Sequence, residues 1–145
     1  MVKLEGHEWR DDFPMRDEVE HFSGRTRTFV ITCHEAAHGF TVRAQEEGTG
    51  GTGYEFAAYS ETSPYAALGR VRQKIQRALA TRHIAKSDRG YQMLHTELSG
   101  RITWDSEGGA LLVVDGIPLN MEDLSLILAS HEGWDFEMKI VDALE

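Results

Sequence analysis

Cysteine, long apolar runs and an N-terminal signal are missing or nearly missing from this chain of 145 residues. Cys33 is its only cysteine, so no internal disulfide can form. No apolar run approaches the roughly 18 residues that a membrane-spanning helix requires. The first residues, MVKLEGHEWRDDF, lack the basic start and apolar stretch of a secretory signal. We therefore expect a cytoplasmic protein with no membrane attachment.

Positive charge is also scarce, since 15 Lys and Arg stand against 24 Asp and Glu and the formal net charge is −9. General nucleic-acid binding depends on basic surface that contacts phosphates, so it is not expected from the chain as a whole. The stretch 68–89 is the exception, with Asp88 as its only acidic residue. Its basic residues are Arg70, Arg72, Lys74, Arg77, Arg82, Lys86 and Arg89.

The length and the hydrophobic content of 41% are those of an ordinary globular domain. Residues 1–24 are polar and acidic without a sustained period, which predicts a loosely packed N-terminal arm. Residues 25–145 are expected to form a single α+β domain. The glycines of GTGGTG, residues 48–53, precede a strand pattern and not a helix, so a loop is favoured there over a dinucleotide site.

The clearest helix signal is SPYAALGRVRQKIQRALATRHI, residues 63–84. Ser63 can cap this helix, and Pro64 suits its first position. Its apolar residues recur at helical spacing: Leu68, Val71, Ile75 and Leu79. Residues 54–59, just before it, alternate as a half-buried strand does.

A second group of elements follows in the C-terminal part. GRITWD and ALLVVD are predicted strands around the turn SEGG, and Asp115–Gly116 is a further turn signal. Asn120 and Asp123 can form a capping box for a helix that should run to about His131 and stop at Gly133. Residues 134–141 alternate apolar and polar side chains, which predicts a final strand.

The predicted element order is β-β-β-α followed by β-β-α-β. This is an α+β fold with a mostly antiparallel sheet and two helices packed on it. The final strand is expected to turn its apolar face to the core. The predicted core group is Trp134, Phe136, Met138 and Ile140 with Leu124, Ile127 and Leu128.

A possible zinc motif, H-E-x-x-H, is formed by His34, Glu35 and His38. In zinc peptidases the two histidines lie one helical turn apart and bind the metal, while the glutamate acts as the base. Residues 28–42 are poor helix formers, at a cost on the order of 4 to 5 kcal/mol relative to alanine. No third ligand is evident, because Thr41 and Ala44 stand where a metzincin-like pattern has Gly and His.

A hairpin suits the same residues better. Pairing Cys33 with Phe40, Ile31 with Val42 and Phe29 with Ala44 places all six side chains on one face. Residues 35–38 would then form a four-residue loop, followed by Gly39 where a positive φ is often required. His34, Glu35 and His38 would then lie at an exposed hairpin tip.

Three segments carry a resemblance to a known family: YAALGRVRQKIQRALATRHI, GRITWD and VVDGIPLNMEDLSLILASHEGWDFEMKIVD. From about Arg25 to Asp142 the chain resembles an uncharacterised bacterial family of unknown function. The strand, strand, strand, helix order of residues 28–85 is also similar to the HicB-like antitoxin fold. That likeness concerns topology and implies function only weakly.

The sequence therefore favours a non-enzymatic interaction or regulatory module without a cofactor. Its partner would be a protein or another copy of the chain, and nucleic acid is unlikely except through the basic helix. The expected contact is either an exposed sheet edge or the row Arg70, Lys74 and Arg77, which lies along one side of that helix. The alternative is a zinc-dependent hydrolase in which His34 and His38 bind the metal and Glu35 is the base.

Overall fold

A computed structural model describes residues 8–145 of the chain. After a short 3-10 helix, Trp9–Asp11, the regular elements follow in an order that keeps most neighbours in sequence adjacent in space. The first group is β1 (Met15–Glu20), β2 (Thr26–Ala36), β3 (Gly39–Glu46), β4 (Glu55–Ser60) and α1 (Pro64–Ala80). The second group is β5 (Ile84–Ser87), β6 (Gly90–Met93), β7 (Arg101–Trp104), β8 (Ala110–Val114), β9 (Ile117–Leu119) and α2 (Met121–Ala129).

The first half is a four-stranded antiparallel sheet in the order β1-β2-β3-β4, covered by α1. The predicted helix is confirmed, and the Ser63 side chain accepts a hydrogen bond from the Tyr65 N–H at 3.1 Å. Its buried stripe of Leu68, Val71, Ile75 and Leu79 packs on Phe29, Ile31, Val42 and Ala44 of the sheet. Each such buried side chain contributes about 1.5 to 3 kcal/mol, so this contact holds the first half together.

The hairpin of β2 and β3 is confirmed, but its register differs from the predicted one. Cys33 lies opposite Val42 and Ile31 opposite Ala44, a shift of two residues. A shift of two leaves every side chain on its predicted face, so Phe29, Ile31, Val42 and Ala44 are buried as expected. The connection is shorter than predicted, because Ala36 pairs with Gly39.

The second half combines a small hairpin, β5-β6, with the three-stranded antiparallel sheet β7-β8-β9 and with α2. The strands predicted in GRITWD and ALLVVD are confirmed as β7 and β8. The predicted turn is confirmed as well, since Asp115 and Gly116 have φ of 56° and 77°. The capping box is also confirmed, since Asn120 accepts from the Asp123 N–H at 2.8 Å. α2 ends at Ala129, earlier than predicted, and turn residues lead on to Gly133.

The α+β class, with two helices and antiparallel sheets, is thus confirmed, while the N-terminal arm and the final strand need correction. Residues 15–20, expected to be loosely packed, form β1 and pair along β2, and Val19 packs against the core. Residues 134–142 contain no strand. The alternation there predicts a strand only if a neighbouring strand accepts it, and the described fold provides none.

Two hydrophobic clusters result, one beneath α1 and one beneath α2. The second contains Ile84, Val114, Leu119 and Ile127. Arg101 links the two halves by donating to the carbonyls of Gly53, at 2.7 and 3.0 Å, and Gly51, at 2.6 Å. Within residues 8–145 no helix has the length and hydropathy to cross a membrane.

Candidate interaction surface

The zinc motif lies on the β2-β3 hairpin. His34 faces Thr41 and Glu35 faces Phe40 across the strands, while His38 occupies the turn. The Glu35 carboxylate accepts a hydrogen bond from Arg10 at 2.6 Å. A helical turn is what brings the histidines of this motif together on one face, and here the segment is extended. Among the residues that the structure describes, no three His, Cys, Asp or Glu side chains are grouped as a metal would require.

The basic row of α1 makes contacts that the sequence did not reveal. Arg70 donates to the carbonyl of Tyr59 at 2.8 Å, and Lys74 donates to the carbonyl of Ala57 at 2.7 Å. Both carbonyls belong to β4, the edge strand of the four-stranded sheet. Basic side chains that occupy an edge in this way protect it from pairing with another chain. Arg70 and Lys74, two residues of the predicted row, therefore form hydrogen bonds within the chain that help to hold α1 against β4.

The C-terminus of the chain reaches the same row. The carbonyl of Ala143 accepts a hydrogen bond from Lys74 at 3.1 Å. Partial burial and then the charge of Arg70 lower the pKa of Lys74, while Asp142 and Glu145 act in the opposite direction. The acidic residues at the end of the chain thus act on the charge of Lys74 within the protein itself.

The C-terminal segment, defined as residues 134–141, is the largest departure from an ordinary surface. All its large apolar side chains are between 62% and 82% exposed: Trp134, Phe136, Met138, Ile140 and Val141. The prediction that four of them line the core with α2 is wrong for this chain alone. Of the three α2 residues predicted to meet them, Ile127 is buried, Leu124 is half-buried and Leu128 is exposed.

Further exposed apolar side chains lie on other elements of the second half. Ile102 and Trp104 alternate along β7, which is an edge strand, and are 54% and 67% exposed. Met121, Leu126 and Leu128 are exposed on α2, immediately before the C-terminal segment. The sequence shows that apolar and polar side chains alternate in residues 101–104 and 134–141. It does not show which of the apolar faces remain exposed in the folded chain.

A buried polar network lies where the two halves meet. Asp115 is 5% exposed, and its carboxylate accepts from the N–H groups of His83, at 2.7 Å, and Ile84, at 2.9 Å. Its other oxygen lies 2.7 Å from His83 Nδ1. The sequence analysis assigned Asp115 only to a turn, because the N–H groups that its carboxylate accepts from lie 31 and 32 residues away in the chain.

Tyr54 is the centre of a second buried group of hydrogen bonds, which lies in the first half. Its hydroxyl lies 3.0 Å from His21 Nε2, and its N–H donates to Glu46 at 3.1 Å. Burial, chiefly, raises the pKa of Tyr54, and burial lowers the pKa of His21. No buried side-chain N or O atom of the described residues lacks a hydrogen-bond partner. Both groups are satisfied internally, which is typical of a structural role.

Comparison with known families divides the chain at the same place as its two hydrophobic clusters. Residues 11–80 match a family model described as a domain of unknown function (DUF7686), and residues 83–145 match another, a domain of unknown function (DUF7713). The predicted resemblance to an uncharacterised family is confirmed in these terms. The boundary falls between Ala80, the end of α1, and Ile84, the start of β5.

No curated protein matches the chain, and no solved structure does. The resemblance to HicB-like antitoxins gains no support from these comparisons and stays a prediction. The expectation of one domain over residues 25–145 also stays a prediction.

Proposed function

We propose that this protein is a non-enzymatic interaction module whose contact surface is the exposed apolar part of its second half. The exposure of the C-terminal segment carries this proposal. With roughly 150 to 250 Å² for a large side chain, its five apolar residues expose on the order of 700 Å². The largest apolar patch on a typical monomer is about 300 to 600 Å². Exposed apolar area on this scale within eight consecutive residues is characteristic of a binding surface.

The free energy available from burying the C-terminal segment also supports a binding role. Removing about 700 Å² of apolar surface from water is worth on the order of 15 kcal/mol before the costs of association. The exposed apolar area of the segment is also close to the roughly 800 Å² that each partner contributes to a standard protein interface. A partner that covers the segment would therefore gain enough free energy to offset the loss of translational and side-chain freedom.

The row Arg70, Lys74 and Arg77 is a weaker candidate for the contact. Arg70 and Lys74 already donate to β4, and Lys74 also holds the carbonyl of Ala143. A partner that used these two side chains would have to replace those hydrogen bonds. This favours an apolar protein surface as the partner over an acidic protein or a nucleic acid.

The proposal is tested by serine substitution within the C-terminal segment, at the lowest protein concentration that the measurements allow. Phe136→Ser with Ile140→Ser should reduce binding of the dye ANS by at least about half, because these exposed side chains form the apolar patch. The free energy of unfolding should change by less than about 1 kcal/mol, since exposed positions contribute little to the chain's own core.

The matched control is Glu137→Ser with Lys139→Ser, which alters the same segment but leaves its apolar side chains in place. Dye binding by this variant should equal that of the wild type. A loss of roughly 3 kcal/mol or more in the Phe136 and Ile140 variant would show that the segment belongs to the monomer's own core. That result would remove the basis of the proposal.

A further inference from the structure

We propose that the partner is a second copy of this chain, and that the C-terminal segments of the two copies pair as antiparallel strands. The two-fold axis would pass beside Met138. This inference rests on the proposed function, because it names the partner that covers the same apolar segment. It is carried by three observations: the strand-like sequence of the segment, its charge pattern, and the further exposed apolar side chains on β7 and α2.

The C-terminal segment has the composition of a strand but no strand beside it. Its side chains alternate strictly from Trp134 to Ile140, with Asp135, Glu137 and Lys139 between the apolar ones. Aromatic and β-branched residues of this kind favour extended pairing. Residues 134–142 lie outside every helix and strand of the described fold. An unpaired strand sequence is a template for pairing with another chain.

The charges select one register for two identical strands. If Met138 lies opposite Met138, antiparallel pairing places Phe136 opposite Ile140 and Glu137 opposite Lys139. Because the pairing is symmetric, the Glu137 and Lys139 pair occurs twice. Opposite charges directly across a strand pair contribute roughly 0.2 to 1 kcal/mol each. Trp134, Phe136, Met138 and Ile140 then share one face. Asp135, Glu137 and Lys139 share the other face with Val141.

Three other arrangements place like charges directly opposite each other. A parallel pair in register sets Asp135, Glu137 and Lys139 each opposite itself. The antiparallel register centred on Glu137 sets that carboxylate opposite its own copy, and the register centred on Lys139 does the same with two ammonium groups. Like charges directly opposite each other destabilise a strand pair. Of these four arrangements, only the pairing centred on Met138 leaves no like-charged pair.

The apolar face of the two-stranded ribbon still needs a cover, since an isolated ribbon of two strands is marginal in water. Ile102 and Trp104 of β7 and Leu126 and Leu128 of α2 are also exposed, and we expect these side chains of both copies to cover that face. α2 leads into the C-terminal segment through a turn at Gly133, whose φ is 90°. The surface is then self-complementary, as a two-fold interface requires.

The test is a set of charge reversals examined by sedimentation equilibrium of the full chain. Glu137→Lys alone should weaken the dimer by about tenfold or more, because it creates two like-charged pairs. Lys139→Glu alone should do the same. The double variant, and an equimolar mixture of the two single variants, should both associate within about threefold of the wild type, because opposite charges face each other again.

Asp135→Lys is the matched control, since Asp135 lies opposite Val141 in the proposed register and its reversal should leave the dissociation constant within about threefold. Strong weakening by this variant would indicate the register centred on Glu137 and overturn the pairing proposed here. A dimer unaffected by either single reversal would also overturn it, as would a wild-type chain that is monomeric at about 100 µM.

Hydrogen exchange of the wild type separates the failure of this inference from the failure of the proposed function. A monomer with unprotected amides in residues 134–141 and dye binding there would overturn self-pairing but leave an interaction surface for a different partner. A monomer that protects these amides would bury the segment in its own fold, and both proposals would then be wrong.

Discussion

Gly39 shows how a single residue shapes the first half. The sequence suggested a positive φ at this position, but Gly39 is not among the residues with positive φ. Its role is one of space, because a Cβ there would lie 2.5 Å from the Ser60 carbonyl oxygen and 2.5 Å from the Tyr59 hydroxyl. That hydroxyl donates to the His38 carbonyl at 2.8 Å. Gly39 therefore allows β4 to close over the end of the hairpin.

We expect Gly39→Ala to lower the free energy of unfolding by roughly 1 to 3 kcal/mol, because backbone and ring atoms must move to admit the methyl group. Gly69→Ala is the matched control. A Cβ at Gly69 meets nothing within 4 Å, and this glycine lies inside α1. The control should stabilise the chain by up to about 1 kcal/mol. Urea denaturation measures both, and equal effects of the two changes would contradict the role given to Gly39.

At the scale of elements, α1 does more than cover the sheet. Its apolar stripe packs on the face of the sheet, while Arg70 and Lys74 reach around to the carbonyls of the edge strand β4. Flexible basic side chains suit this task, because their stems lie along apolar surface while the charged ends reach polar groups. The sequence analysis expected a partner to bind either at an exposed sheet edge or at the basic row of α1. In the structure, Arg70 and Lys74 of that row partly occupy one sheet edge, strand β4.

The β2-β3 hairpin yields a prediction about the zinc motif. We expect His34→Ala combined with His38→Ala to change the free energy of unfolding by no more than about 0.5 kcal/mol, because both side chains are exposed. The bond from Tyr59 to His38 involves the main-chain carbonyl and survives the substitution. Thermal unfolding with and without added zinc is the measurement. Stabilisation by zinc that disappears in the double variant would instead support the hydrolase alternative.

At the scale of the whole molecule, the two halves meet through polar contacts more than through a shared hydrophobic core. Arg101 of β7 binds the glycine loop between β3 and β4 and pairs with Glu55 at 3.3 Å. Its side chain is 20% exposed, so the charge is only partly screened by water. The planar guanidinium suits several acceptors in a fixed arrangement, which a lysine could not bind in the same way.

Arg101→Met should therefore cost roughly 1 to 3 kcal/mol, since it leaves the carbonyls of Gly51 and Gly53 without their donor. The matched control is Arg16→Met, which removes the pair of Arg16 with Glu47 on the open surface. Exposed pairs contribute at most about 1 kcal/mol, and often nothing measurable. Chemical denaturation followed by fluorescence and by circular dichroism would compare them. An Arg101 variant as stable as the Arg16 variant would show that the halves are held together by other contacts.

The sequence by itself determined the features that depend on residues close together in the chain. α1 with its Ser63 cap, the capping box of Asn120 and Asp123, and the Asp115–Gly116 turn all rest on interactions within a few residues. The hairpin followed from alternation, which fixes the face of each side chain but leaves the register open to a shift of two. The class of fold follows from these local features.

Only the tertiary structure decided which surfaces found partners. The alternation of apolar and polar side chains in residues 134–141 predicts a strand. Whether that strand pairs depends on a neighbour distant in sequence or on another molecule. In the same way, helical spacing placed Arg70 and Lys74 on one side of α1, yet the approach of β4 decided that their charges are used within the chain. Partner choice depends on the competition among all available edges and apolar faces, and local sequence carries little of that information.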